Sequence, residues 1–245
     1  MARQILNIVN FIRGCEPRAD VDLYEPVRRQ LDLLRRHGLP GTFLFQYDAL
    51  INPAFTGLLR DASDLRLETG VWFEVVRPLC EAAGVEWRGR YDWDWLAQYG
   101  FSVGYTKPER ERLLDCLFEK FREIFGEYPR SIGSWNLDAH SLAYASEKYG
   151  LDAACFCKDQ WGTDGYSVWG GYYGQAYYPS RANFFCPAQT EAMQIPVPAF
   201  RMLGSDPIYQ YDFGLTEDGA SGCQGVVTLE PVYTGATGGG GEPSW

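Results

Sequence analysis

The chain contains only two histidines in 245 residues, His37 and His140, which leaves ordinary imidazole-held metal hydrolysis little to work with. Basic residues are also short. Lysine and arginine number 22 against 32 aspartates and glutamates, and a net charge of -10 repels polyphosphates and anionic lipid surfaces, so neither nucleic acid nor membrane is an expected partner. No apolar run approaches the roughly 18 residues of a membrane span. The opening segment, MARQILNIVNFIRGCEPR, lacks the organisation of a signal peptide. A soluble, unexported, cytoplasmic protein is therefore the expectation. The seven cysteines, an odd number, fall mostly in apolar segments and favour reduced, buried thiols over a disulfide framework. Cys155-Phe-Cys157 has neither a second pair nor nearby histidines and is no zinc signature. There is no glycine-rich phosphate turn, no internal repeat and no cofactor fingerprint, so no cofactor is expected. Nothing in the sequence sets an oligomeric state.

What the chain has in abundance is aromatic rings beside glycine. From Trp161 to Phe185 nine aromatics occupy 25 positions, with Gly162, Gly165, Gly170, Gly171 and Gly174 among them. Glycine at this density lets the backbone turn through positive φ, so residues 159–191 read as a long insertion loop rather than a helix. Flat rings with polar handles suit a sugar, whose apolar faces alternate with polar edges; a satellite core built from the same rings is the plainer reading.

Around this loop the sequence reads as one domain of alternating strands and helices, spanning 1–245. Ile5–Ile12 is a strand, and Asp22–His37 carries Leu23, Val27, Leu31 and Leu34 at helical spacing, closed by Gly38. Thr42–Tyr47 is a second strand, and Asn52-Pro53 opens a helix to Asp61. Glu68–Phe73 is a third strand, with a helix over Glu74–Ala83 capped by Gly84. Thr106-Lys-Pro-Glu109 forms a capping box before a long apolar stripe ending at Gly126. Ser131–Trp135, Ala153–Cys157, Gln194–Phe200 and Gly225–Leu229 complete the strands, with a helix over Ser141–Tyr149. Seven such units predict an α/β fold, a (β/α)7 barrel of parallel strands with right-handed crossovers. The tail GATGGGGEPSW has no helix to cover the seventh strand, so the natural protein is expected to continue beyond it.

The blocks LDLLRRHGLPGTFLF, LETGVWFEVV and TKPERERLLDCLFEKFREIFGEYPRSIGSW resemble successive segments of the polysaccharide deacetylase-like superfamily, within the glycoside hydrolase/deacetylase barrels. The resemblance covers roughly Ile5 to Trp135 and implies a (β/α)7 barrel. It also implies a metal held by two histidines and an aspartate. Here the paired-aspartate block is replaced by Phe11-Ile12-Arg13-Gly14, and the histidine block aligns with Leu67–Val76, putting Trp72 and Val76 where ligands should be. No metal is expected.

In such barrels the active site lies at the carboxyl ends of the strands. Acids follow those ends at Glu16, Asp48, Glu74, Asp138, Asp159, Asp206 and Glu230. Glycoside hydrolysis needs one carboxyl to protonate the leaving oxygen and a second to stay ionised. Asp159 and Asp206, each in a polar turn just past a strand, are the chosen catalytic pair, with Glu74 and Glu230 next. Sugar contacts are expected from Trp72 and from Trp161, Asp164, Tyr166 and Trp169 in the loop. Glu16, Arg18, Asp138 and Arg201 join them as polar contacts. Each has a structural alternative: Glu16 pairs with Arg18, Glu74 opens its own helix, Asp138 caps the helix after it, and Arg201 forms a salt bridge. Asp138-Ala-His140 as a metal pair is the weaker alternative to that cap. Trp93-Asp94-Trp95 either widens a sugar platform or packs its insertion onto the barrel. The expected function is cleavage of a glycosidic bond in an oligo- or polysaccharide by two carboxylates without an obligatory metal. The alternatives are a non-catalytic glycan-binding barrel and an atypical deacetylase with an acidic metal site.

Overall fold

Each apolar run in the first half of the chain becomes a strand, and amphipathic segments between the runs become helices. A computed structural model describes residues 7–17, 20–94, 96–156 and 176–201. Strand β1 (Val9–Ile12) leads to α1 (Tyr24–His37), β2 (Gly41–Phe45) to α2 (Tyr47–Leu50) and α3 (Pro53–Asp61), and β3 (Leu67–Trp72) to α4 (Arg77–Ala83). After α5 (Ala97–Gly100) and a 3-10 turn at Ser102–Gly104 come α6 (Lys107–Phe125), β4 (Ser131–Ser134), α7 (Ala139–Tyr149) and β5 (Ala153–Phe156). An antiparallel pair, β6 (Pro179–Ser180) with β7 (Asn183–Pro187), precedes β8 (Ala199–Arg201).

The helix ends obey the local chemistry read from the sequence. Gly38, Gly84, Gly126 and Gly150 close their helices at φ 61°, 63°, 86° and 75°, where a side chain would be strained. Asn52 accepts the Ala54 N–H at 3.0 Å, and the Thr106 N–H donates to Glu109 at 2.7 Å.

Six strands form one parallel sheet in the order β1-β2-β3-β4-β5-β8. The sheet curls into a half-barrel. Flat, β1 and β4 would stand roughly 14 Å apart, three strand spacings. Yet the ring of Phe11, on β1, meets Trp135, just past β4, at 5.2 Å between centroids. Alternation divides the side chains. Phe43, Phe45, Val71, Ile132 and Phe156 face the helices, where α6 buries Leu113, Leu114, Leu117, Phe118 and Phe121. Each such side chain contributes roughly 1.5–3 kcal/mol on burial, so this outer layer carries most of the stability. The inner face is aromatic. Phe11 stacks on Trp72 at 4.7 Å, and Trp135 meets Trp72 edge-on at 5.4 Å.

The structure departs from the sequence reading in several places. Of the sixth predicted strand, Gln194–Phe200, only Ala199 and Phe200 are extended in the sheet, as the start of β8, because Pro196 and Pro198 have no N–H to give a ladder. The β6–β7 pair was not predicted. The α4 helix begins at Arg77, with proline in its first turn, so Glu74 does not open it. The seventh predicted strand, Gly225–Leu229, lies outside the described residues.

Candidate functional site at the carboxyl ends of the strands

Strand register decides which side chains meet at the mouth of the half-barrel. Ile12 pairs with Phe45 and Phe45 with Val71, so the next residues, Arg13, Gln46 and Trp72, stand side by side at the strand ends. Trp72 pairs in turn with Gly133, whose missing side chain leaves room for the indole: a Cβ there would lie 2.6 Å from Trp72 Cε3.

The Arg13 guanidinium lies 5.2 Å from the centre of the Phe11 ring and 4.0 Å from that of Trp93. It pairs with Glu16 at 3.5 Å and Glu74 at 3.9 Å, and the three side chains are only 5%, 2% and 0% exposed. Glu74 is held from a second side as well. Trp93 Nε1 donates to its Oε2 at 2.9 Å. Trp93 reaches this position from the insertion between α4 and α5, which is tied to the barrel by an antiparallel bridge to Val76 and by the Arg77 N–H to Asp92 at 2.7 Å.

Beside this group, Asp48 accepts the Ala49 N–H at 2.8 Å and the Gly14 N–H at 3.1 Å. Gly14 is needed here, because a Cβ would sit 2.9 Å from the Asp48 carbonyl carbon. Burial pushes the Asp48 carboxyl above its usual range, opposed in part by hydrogen bonds from Cys15, Ala49 and Gly14. Burial, and then the charge of Asp48, push the Cys15 thiol up, which makes it a poor nucleophile. An acid whose pKa is raised by folding contributes fully to stability below the ordinary carboxylate range and loses that contribution as pH rises through the folded-state value. Asp48→Asn removes this loss. The stability of the variant relative to wild type is therefore expected to be higher at pH 7 than at pH 4 in denaturant titrations; an equal difference at both would sink the assignment.

Asp138 lies apart from this group in function. It caps α7 through the Ser141 N–H at 3.0 Å and pairs with Arg110 at 3.0 Å. Burial works to raise its pKa, but hydrogen bonds from Ser102 and Ser141 and the Arg110 charge hold it below the usual range. His140 binds Glu111 at 2.9 Å, so Asp138 and His140 each have a structural partner.

Polar atoms with unmet demands complete the mouth. Gln46 is 0% exposed, and neither its amide oxygen nor its nitrogen has a hydrogen-bond partner among the described residues. The indole N–H groups of Trp72 and Trp135, both 0% exposed, are in the same condition. Each such group costs about 1–3 kcal/mol of stability unless something binds it.

Of the predicted site residues, the structure brings Glu16 and Glu74 together through Arg13. It sets Trp72 into the inner floor rather than on an exposed rim, and Asp138 at a helix cap. The expected partner of Glu16, Arg18, lies outside the described residues, as do Asp159, Trp161, Asp164, Tyr166, Trp169, Asp206, Glu230 and the side chain of Arg201. Of the other loop rings, Tyr177, Phe184 and Phe185 pack edge-on around Phe156 in the helix-side core, which is the satellite-core outcome. Arg13, Gln46 and Trp135 were not singled out as site residues, whereas Trp93 was read as either a sugar platform or a packing residue. Continuing the strand alternation past Phe11 and Leu44 would have found the first two.

At the described positions to which the resemblance assigns the metal, the side chains are not fitting donors. A guanidinium has no lone pair to offer a cation and repels it, while Trp72 and Val76 carry no ligating atom. Among the described residues, no three histidine, cysteine, aspartate or glutamate side chains cluster so as to hold a metal ion. No helix among them is long and apolar enough to cross a membrane.

The parallel half-barrel with its site at the strand ends defines a protein of the (β/α)-barrel class. More narrowly, the fold is similar to that of a solved candidate glycoside hydrolase/deacetylase. A candidate glycoside hydrolase/deacetylase from Parabacteroides distasonis superposes with a TM-score of 0.52 over 80% of this chain and 44% of its own, at 18% identity. A candidate polysaccharide deacetylase from Mycobacterium smegmatis gives a TM-score of 0.41 at 15% identity, over 72% of this chain and 44% of its own. A family 4 carbohydrate esterase from Streptomyces lividans, in complex with acetate, gives 0.37 at 13% identity, over 63% of this chain and 62% of its own. The chain thus spans less than two thirds of the length of each. No protein-family model matches the sequence, and no curated protein matches it significantly.

Proposed function

We propose that the protein recognises a glycan at the carboxyl-end mouth of its half-barrel, without a histidine-held metal. The observation that carries this reading is Arg13, buried between Glu16 and Glu74 and over two aromatic rings, where the resemblance puts a paired-aspartate block. A fixed guanidinium on an aromatic floor orients sugar hydroxyls without activating water. Removal of an acyl group is the second reading, supported by Asp48 beside the mouth, whose carboxyl pKa is pushed up by burial, the direction a general acid requires. Cleavage of a glycosidic bond has less support. It rests on Asp159 and Asp206, outside the described residues, and on Glu74, which is engaged by Arg13 and Trp93.

A panel of acetylated and unacetylated oligosaccharides, titrated calorimetrically with EDTA present and followed for acetate release, tests the proposal. At least one glycan is expected to bind equally well with and without chelator. Arg13→Lys keeps the charge but loses the planar fork, and is expected to weaken binding at least tenfold, about 1.4 kcal/mol. Acetate release that survives chelation establishes the second reading. Binding abolished by EDTA, or by no treatment because no glycan binds, overturns the proposal.

A further inference from the structure

We infer that Gln46, Trp72 and Trp135 form the polar subsite of the mouth, and that it takes the vicinal diol of an uncharged sugar; the inference rests on the glycan-binding reading. Gln46 and Trp72 are neighbours by register at the ends of β2 and β3, and Trp135 touches Trp72 edge to face at 5.4 Å. These three neighbouring residues carry four fully buried polar atoms, an amide oxygen, an amide nitrogen and two indole nitrogens, none with a hydrogen-bond partner among the described residues. Burying so many unsatisfied groups is unfavourable for folding alone, and it is explained when a ligand supplies what they lack.

The inventory specifies that ligand. Gln46 offers one acceptor and one donor group side by side, which match a pair of adjacent hydroxyls, one donating and one accepting. The two indoles only donate, so the ligand must present further lone pairs, as hydroxyl and ring oxygens do. A protonated amino sugar has donors where acceptors are required. A uronate meets the charge around Arg13, where two carboxylates, Glu16 and Glu74, stand against one guanidinium. The subsite therefore favours neutral hexoses over both.

Gln46→Leu, Trp72→Phe and Trp135→Phe each remove the polar group and keep most of the volume. With a neutral oligosaccharide that binds the wild type as probe, Gln46→Leu is expected to weaken binding at least tenfold and each Trp→Phe three- to tenfold. Thermal and denaturant stability should be unchanged or raised in Gln46→Leu, which leaves no cavity. The amino-sugar and uronate counterparts of the probe should bind the wild type at least tenfold more weakly than the probe itself. Wild-type affinity in all three variants overturns the inference. So does lost binding that comes with lost stability in Gln46→Leu, since the amide would then be satisfied within the fold. If Arg13→Lys weakens binding while these variants do not, the subsite assignment fails and the glycan-binding reading stands; if the wild type binds none of the glycans, both fail.

Discussion

Glu74→Ala is expected to destabilise the protein by about 3–5 kcal/mol, because it takes one partner from a buried ion pair and the acceptor from a buried indole N–H. Its side chain is 0% exposed, Arg13 lies 3.9 Å away, and Trp93 donates to it at 2.9 Å. A surface pair would matter far less, since such pairs typically contribute about 0–1 kcal/mol. Glu74→Gln separates the two contributions, retaining an acceptor for Trp93 while removing the charge opposite Arg13. Its loss should fall between wild type and alanine in urea titrations, where a shift in midpoint at constant slope reports stability alone. A loss below about 1 kcal/mol for alanine would show that Glu74 is not held as described.

Gly70→Ala should be of similar severity, at least about 3 kcal/mol, at the upper end of what overpacking costs. A Cβ at position 70 would lie 2.4 Å from Ser131 Oγ, 2.5 Å from the Ser131 carbonyl oxygen and 2.8 Å from Leu44 Cδ2. A side chain can swing aside, but the carbonyl oxygen belongs to β4 and cannot move without disturbing the sheet. Gly57→Ala, where nothing lies within 4 Å of the added atom, is the matched control in α3 and should not destabilise. Thermal melts of the two variants decide the matter, and equal melting temperatures would refute the crowding.

Much of the fold was legible because it is written in local chemistry. The capping glycines, the Thr106–Glu109 box and the stripe of α6 act over a few residues, so they can be read without knowing the neighbours. The β6–β7 pair was not legible for the complementary reason. Pro179 and Pro187 bracket it, and proline argues against a strand until an edge position excuses its missing N–H. The candidate site was legible as residue types but not as an arrangement. Acids after strands are easy to find, yet which of them converge depends on how each loop leaves its strand. Glu74 reaches the mouth because α4 waits until Arg77, and Glu16 because the chain past β1 turns so as to bring it against Arg13. Gln46 escaped notice because a lone glutamine has no distinctive chemistry until its burial and its empty hydrogen-bonding capacity are known.

The pairing of β5 with β8, Ala154 against Ala199, has a bearing on how this protein can diversify. Two strands that are adjacent in the sheet are joined by a long excursion, and the entropy of closing such a loop rises by only about 0.6 kcal/mol for each doubling of its length. Descendants of this chain can therefore lengthen, shorten or exchange that connection while the parallel frame and its helices stay as they are. Variation is then cheapest in the excursion, while Arg13, Gln46 and Glu74, set just past the ends of β1, β2 and β3, are held in register by the parallel frame.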